Sequence, residues 1–101
     1  MVMNPVVSER STVVVAKDQV SSDLGGEVAI LDLQAGMYYG LDEVGARIWQ
    51  LLREPNVVGE IQATIAREYD VDPARAKRDV LAFLQRLAEE GLLEVKDEPS
   101  T

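Results

Sequence analysis

The chain has 101 residues, with 10 basic and 18 acidic side chains for a net charge of −8 at pH 7, and contains neither cysteine nor histidine. Those two absences exclude a thiolate nucleophile, a disulfide, a Cys/His zinc site and an imidazole general base. The acidic balance opposes a nucleic-acid partner, because such affinity rests mainly on cations that neutralise phosphates.

The length suits one domain, read as residues 1–101 with an ordered core over 11–95. No apolar run approaches the roughly 20 residues of a membrane span, and no signal segment opens the chain. No membrane association and a cytoplasmic setting are therefore expected.

Met1–Glu9, broken by Pro5, reads as a loose lead-in, and Asp97–Thr101 as a frayed tail. Ser11–Ala16 (STVVVA) is a β-branched strand, followed by a turn-rich gap over Ser21–Gly26. Glu27–Leu33 and Met37–Leu41 are further strands, and the short Gln34-Ala35-Gly36 link between them favours an antiparallel hairpin. From Asp42, a candidate N-cap, the pattern turns helical, with Val44, Ile48, Leu51 and Leu52 on one stripe beside Trp49. Pro55 ends that helix. Asn56 can cap the next, whose face carries Val58, Ile61, Ile65 and Tyr69.

Asp72-Pro73 places a capping acid before proline at the first position of a third helix. That helix runs to about Glu90 and buries Ala76, Val80, Phe83, Leu84 and Leu87; Gly91 stops it, and Leu92-Leu93 fold back. The expected class is α+β and winged-helix-like, a three-stranded antiparallel sheet followed by three helices.

Enzymatic readings find little support. Asp42, Glu60 and Asp72 fall at helix starts, and Glu89, Glu90, Glu94, Asp97 and Glu98 form a C-terminal group, so a solvated acidic surface is the favoured reading over paired-carboxylate catalysis. No calcium loop and no glycine-rich nucleotide motif occurs, so no catalytic residue, metal or cofactor is expected. Gly40 stands out, because a glycine inside a strand can mark close approach by another backbone. Tyr38 and Tyr39 are adjacent on one strand and point to opposite faces, so they form no joint stacking platform.

On the third helix, Arg75, Arg78 and Arg86 share about one-quarter of the circumference at about 100° per residue. Asp79 lies at the edge of that arc, Ala82 in its middle, and Phe83 on the core side of Asp79. A solvated helix face accounts for the arc on residue pattern alone, and a surface that receives an acidic segment is the alternative. A DNA-recognition helix is a weaker rival, given few phosphate partners and a repulsive field from the rest of the chain.

The run Leu33-Gln34-Ala35-Gly36-Met37-Tyr38-Tyr39-Gly40-Leu41-Asp42, followed by Ala46-Arg47-Ile48-Trp49-Gln50-Leu51-Leu52, resembles the PqqD-like domains. Asp79-Val80, Phe83-Leu84, Leu87 and Gly91-Leu92-Leu93 fit the same pattern, so the resemblance covers about Ser11 to Val95. Val57 departs from it, where a hydroxyl residue capping the second helix is expected. These domains recognise the precursors of ribosomally made, post-translationally modified peptides. The YYGLD version is most similar to the free-standing recognition protein of lasso-peptide biosynthesis.

The resemblance implies a non-catalytic domain that binds a precursor's leader segment. The leader adds as a strand beside the third strand and lies in a groove against the third helix. Implied partners are a transglutaminase-like leader peptidase and, downstream, an ATP-dependent lasso cyclase.

Five or six added backbone hydrogen bonds at about 1 kcal/mol each fall short of the 8 kcal/mol or so that sub-micromolar binding needs. Two or three buried leader side chains, at about 1.5–3 kcal/mol each, close that gap. Side-chain pockets are therefore expected between Met37, Tyr38 and Tyr39 on the strand and Asp79, Ala82 and Phe83 on the helix. Gly40 admits the leader backbone, and Arg75, Arg78 and Arg86 pair with leader acids. The opposite flank of the helix, with Lys77, Leu81 and Gln85, is the alternative wall. Two other functions compete: a PqqD-like adaptor that presents a precursor to a radical enzyme, and a winged-helix DNA regulator.

Overall fold

The computed structural model describes residues 7–17, 19–23, 28–32 and 36–96. The chain order is β1 (Thr12–Val15), β2 (Gln19–Asp23), β3 (Val28–Asp32), β4 (Met37–Leu41), α1 (Glu43–Leu51), β5 (Asn56–Val57), α2 (Val58–Glu68), α3 (Pro73–Glu89) and β6 (Leu93–Val95). The strands form two three-stranded antiparallel sheets, ordered β2-β3-β4 and β5-β1-β6. The α+β class, with a three-stranded antiparallel sheet and three helices, is as expected; the membership of the sheet is not.

Two corrections concern strands. Ser21–Asp23, expected in a turn, belong to β2, which pairs with β3 from Gln19↔Asp32 to Asp23↔Val28. An edge strand needs only backbone pairing on one side, so Ser21 and Ser22 do not prevent it. The remainder of the expected turn, the termini of the Glu27–Leu33 strand, and Gln34-Ala35 lie outside the described residues, as does the 97–101 tail. The second correction is that β1 joins neither β3 nor β4. It lies between β5 and β6, extended at its ends by Ala16 N–H to Leu92 O at 2.9 Å and Lys96 N–H to Thr12 O at 2.7 Å.

The helix ends explain how these pieces lock. Asp42 caps α1 as expected, its Oδ1 accepting from Gly45 N–H at 2.8 Å. α1 ends at Leu51, four residues before Pro55, and its terminal carbonyls are taken from a distance. Val15 N–H donates to Leu52 O at 2.9 Å, and Asn56 Nδ2 donates to Leu51 O at 3.0 Å. Asn56 therefore serves the end of α1 rather than the start of α2.

The N-cap of α2 is Val57, with no side-chain cap bond. Its first amides go instead to backbone carbonyls: Val58 N–H to Ser11 O at 2.9 Å and Gly59 N–H to Glu9 O at 3.0 Å. A hydroxyl at Val57 is unnecessary because the 9–11 turn does that work. Asp72 likewise sits at the N-cap of α3 without a side-chain cap bond, and Pro73 at the first turn supplies the start signal.

The lead-in is tied down over its described part, also contrary to expectation. Val7 is buried, and its N–H donates to Gln85 Oε1 at 2.9 Å. Ser11, fully buried, accepts from Ser8 N–H at 3.0 Å.

α2 and α3 both end in the same reverse turn, closed by Val71 N–H to Ala66 O at 3.2 Å and Leu92 N–H to Leu87 O at 2.9 Å. Each needs a left-handed residue, supplied by Gly91 (φ 77°) in one case and by Asp70 (φ 51°) in the other. The core gathers Trp49, Leu52, Ile61, Leu84 and Leu92 between the helices and the sheets. Between α1 and α2, Arg47 Nε and Nη2 grip Glu68 Oε1 and Oε2 at 2.8 and 2.9 Å. The guanidinium hydrogen bonds hold the Glu68 carboxyl below its ordinary range. Among the described residues, no helix is long and apolar enough to cross a membrane.

Ser11→Ala removes the buried hydroxyl that closes the 8–11 turn on the Ser8 amide, while the backbone bonds of that turn to α2 remain. It is expected to cost about 1–2 kcal/mol in urea denaturation, mostly as a lower midpoint at unchanged slope. The Glu68 carboxyl ionises at lower pH in the native state, so the stabilisation by its pair with Arg47 is complete above the unfolded carboxyl's pKa of about 4.3 and fades as pH falls through the native value. The stability difference between wild type and Glu68→Gln is accordingly expected to be greatest at about pH 6 and to shrink steadily on acidification below the unfolded carboxyl's pKa of about 4.3. A difference that is constant with pH would show that this pair does not titrate with folding.

Candidate functional site

β4 is the last strand of its sheet, paired to β3 with Ile30↔Tyr39 and Leu31↔Tyr38 in register. It passes into α1 through Asp42 alone, so the edge strand and the first helical wall are one continuous piece of chain. α3 crosses beside them. Between the three lies a groove of about 530 Å³.

Gly40 and Leu41 of β4 form one end, Val44, Gly45 and Ile48 of α1 one wall, and Arg75, Ala76, Asp79, Val80 and Phe83 of α3 the other. Ile65 and Val71 close the floor. Val71 reaches it because Asp70, in the left-handed conformation, turns the chain sharply after α2.

Two features frame this groove. A Cβ at Gly45 would stand 3.3 Å from Asp42 Oδ1, tight against the capping carboxylate, and at ordinary contact distance from Leu41 Cβ (3.4 Å) and Phe83 Cζ (3.5 Å). At the far end of α3, Tyr39 donates its hydroxyl proton to Glu90 Oε2 at 2.9 Å, tying the edge strand to the end of the helix. Tyr39 is half-buried and packs against the core, opposite Ile30, which is fully buried. It is therefore the inward-facing tyrosine of the pair.

The charge at the rim is modest. Arg75 Nε lies 3.5 Å from Asp79 Oδ2, both well exposed, one helical turn apart. Asp42 also borders the groove, with one oxygen already committed to Gly45. No group of acids able to hold a metal occurs among the described residues.

The residues singled out in the sequence are thus divided. Gly40, Arg75, Asp79 and Phe83 come together at the groove. Arg78, Ala82 and Arg86 are exposed on α3 but do not line it. Met37 and Tyr38 lie on β4, opposite Asp32 and Leu31 in register. On the alternative flank, Gln85 accepts from Val7 N–H at 2.9 Å, Leu81 packs against the core, and Lys77 is exposed.

Gly40 meets no neighbour of its own chain, since a Cβ there would find nothing within 4 Å. Val44 and Val71 were missed as groove residues. Val44 lies on the apolar stripe with Ile48, yet it is 36% exposed, because its side of α1 faces the groove.

Comparison with known proteins follows from this geometry. No curated protein matches the chain. It is similar to the solved structure of TbiB1 in complex with the TbiA(beta) leader peptide, at 42% identity and a TM-score of 0.77, over 84% of this chain and 99% of that one. A second similar structure is the PqqD truncation of Methylobacterium extorquens PqqCD, a functional and stand-alone recognition element for ribosomally synthesised and modified peptides. It is 23% identical with a TM-score of 0.74, over 91% of this chain and 99% of that one. A third is lasso peptide synthetase B1 complexed with the leader peptide, at 23% identity and a TM-score of 0.72, over 81% and 96%. The last two show a shared fold. The family model for coenzyme PQQ synthesis protein D (PqqD) matches residues 27–93, from the β3–β4 hairpin to the start of β6, and the chain belongs to the PqqD family.

Proposed function

We propose that this chain binds the leader segment of a ribosomal precursor peptide as an added strand on β4, and presents it to a leader peptidase in lasso-peptide biosynthesis. The observation that carries this reading is the union of an edge strand with an apolar-floored groove at its end. The edge supplies backbone donors and acceptors, and the groove supplies what backbone pairing lacks, a place to bury leader side chains. The likeness to TbiB1, whose solved structure contains a leader peptide, supports it.

The roles divide by chemistry. Gly40 leaves open space where a leader backbone or side chain can approach. Val44, Ile48, Val71, Val80 and Phe83 offer apolar surface, and Asp79 an acceptor for a leader hydroxyl or amide. Arg75 can turn from Asp79 to a leader carboxylate, because an exposed ion pair holds it only weakly. The chain itself does no bond chemistry in this scheme; cleavage belongs to the peptidase and ring closure to the ATP-dependent cyclase.

Gly40→Val fills space that is empty in the free protein and places a good strand former on β4. Its thermal midpoint is expected to stay near that of wild type, while affinity for a fluorescent leader peptide, measured by anisotropy, falls at least about tenfold, or about 1.4 kcal/mol. Asp79→Ala, also exposed, is expected to weaken leader binding by about 0.5–1.5 kcal/mol. Failure of the wild-type chain to bind the leader of the neighbouring precursor gene at tens of micromolar would sink the proposal.

A further inference from the structure

Gln62, on α2, is 2% exposed and carries its amide to α3. Its Nε2 donates to Lys77 O at 2.8 Å, while its Oε1, also buried, has no hydrogen-bond partner among the described residues. A buried amide oxygen left unpaired costs more than a single hydrogen bond returns on balance. An apolar side chain of similar size would occupy the same place without that loss. Stability alone therefore gives no reason for a glutamine here.

Its position relative to the groove does. Gln62 stands three residues before Ile65 on the same side of α2, and Ile65 lines the groove floor. Lys77 follows Ala76 and stands three residues before Val80, and both of those line the α3 wall. The Lys77 carbonyl is inside α3, with a second lone pair free for a bond from outside the helix. Ridges packed into grooves set the relation of two helices only to within about 15–20°. A turn of α3 about its own axis by about 20° carries its Cα atoms about 0.8 Å, at a radius of about 2.3 Å, and its side-chain ends further. Arg75, Asp79 and Phe83 would all shift against β4.

We infer that Gln62 is a positioning residue for the groove: its amide fixes α3 against α2 through Lys77 O, at the expense of stability. The inference rests on the leader-binding function proposed above, and adds to it a buried determinant that does not itself line the groove. A directional bond has one best geometry, whereas apolar packing tolerates several of nearly equal energy. One defined place for the α3 wall is what a leader side chain entering the groove requires.

The test uses the full chain, the fluorescent leader peptide of the neighbouring precursor gene, and the variants Gln62→Met and Gln62→Leu, each of which removes both amide groups. The better tolerated of the two is expected to unfold at a urea midpoint about 0.3 M or more above wild type. In that variant, leader affinity by anisotropy is expected to fall at least about threefold, although no lining residue has changed. Methyl NMR signals of Val71 and Val80 are expected to be single and sharp in wild type and broadened or doubled in the variant. A merely structural role would not move them. A midpoint at or below wild type in both variants overturns the inference, because the amide then serves stability. So does leader affinity that falls by less than threefold, or methyl signals that stay single and sharp. If the wild-type chain binds no leader, the proposed function falls, and the midpoint and methyl signals still decide whether Gln62 fixes α3.

Discussion

A single residue, Asp42, separates the edge strand β4 from helix α1, and the geometry of the groove follows from that junction. Its carboxylate accepts the Gly45 amide, which starts the helix at once instead of after a flexible loop. The strand's outer edge and the helical wall are therefore held in one rigid piece. Gly45, in the first turn of the helix, leaves room for that capping carboxylate, and the Phe83 ring of α3 lies at contact distance across from it. The Tyr39–Glu90 hydrogen bond closes the other end of the same frame. Under the function proposed above, a leader strand entering here meets walls already in place, which keeps the ordering cost of binding mostly on the peptide.

The rest of the fold supports this frame by long-range backbone bonds more than by side-chain caps. α1 ends on the Val15 amide and the Asn56 side chain, and α2 begins on the carbonyls of Glu9 and Ser11. Apart from the local Asn56–Leu51 bond, each ties a helix terminus to a segment far away in sequence. Such an arrangement satisfies orphan groups of short helices from the backbone of residues 9–15, and makes that early segment necessary to the middle of the chain.

What the sequence revealed follows from that division. Local signals were legible: the β4 run, the Asp42 cap, Pro73 at a helix start, Gly91 at a helix end, and the apolar stripes of all three helices. Bonds made across the fold were not. β2 has too few β-branched residues to announce itself, and the pairing of β1 with β5 and β6 depends on partners about 40 and 80 residues away in register. On α3, Arg75, Asp79 and Phe83 line the groove, whereas Arg78 and Ala82, on the same arc, stand outside its lining; a charge pattern does not reveal how far a helix is rotated against its neighbours. Asp70 carried no signal that distinguished a left-handed turn from a solvated acid, and Val71 was lost with it.

The absence of cysteine and histidine also takes on meaning at the level of edges. A sheet of three strands has two of them, and an open edge is a standing invitation to unwanted pairing. The two edges of the β2-β3-β4 sheet are unlike in composition. β2 reads QVSSD, polar and acidic toward its end, whereas β4 reads MYYGL, apolar and aromatic with one gap at glycine. Polar residues and an acid give little to an added apolar strand, while the β4 edge adjoins a groove that can bury its side chains. One sheet thus carries two edges of unlike composition, and the apolar one adjoins the groove. Selectivity of this kind needs no reactive group, and the residue types that this chain lacks are those that recognition by an edge and a groove can do without.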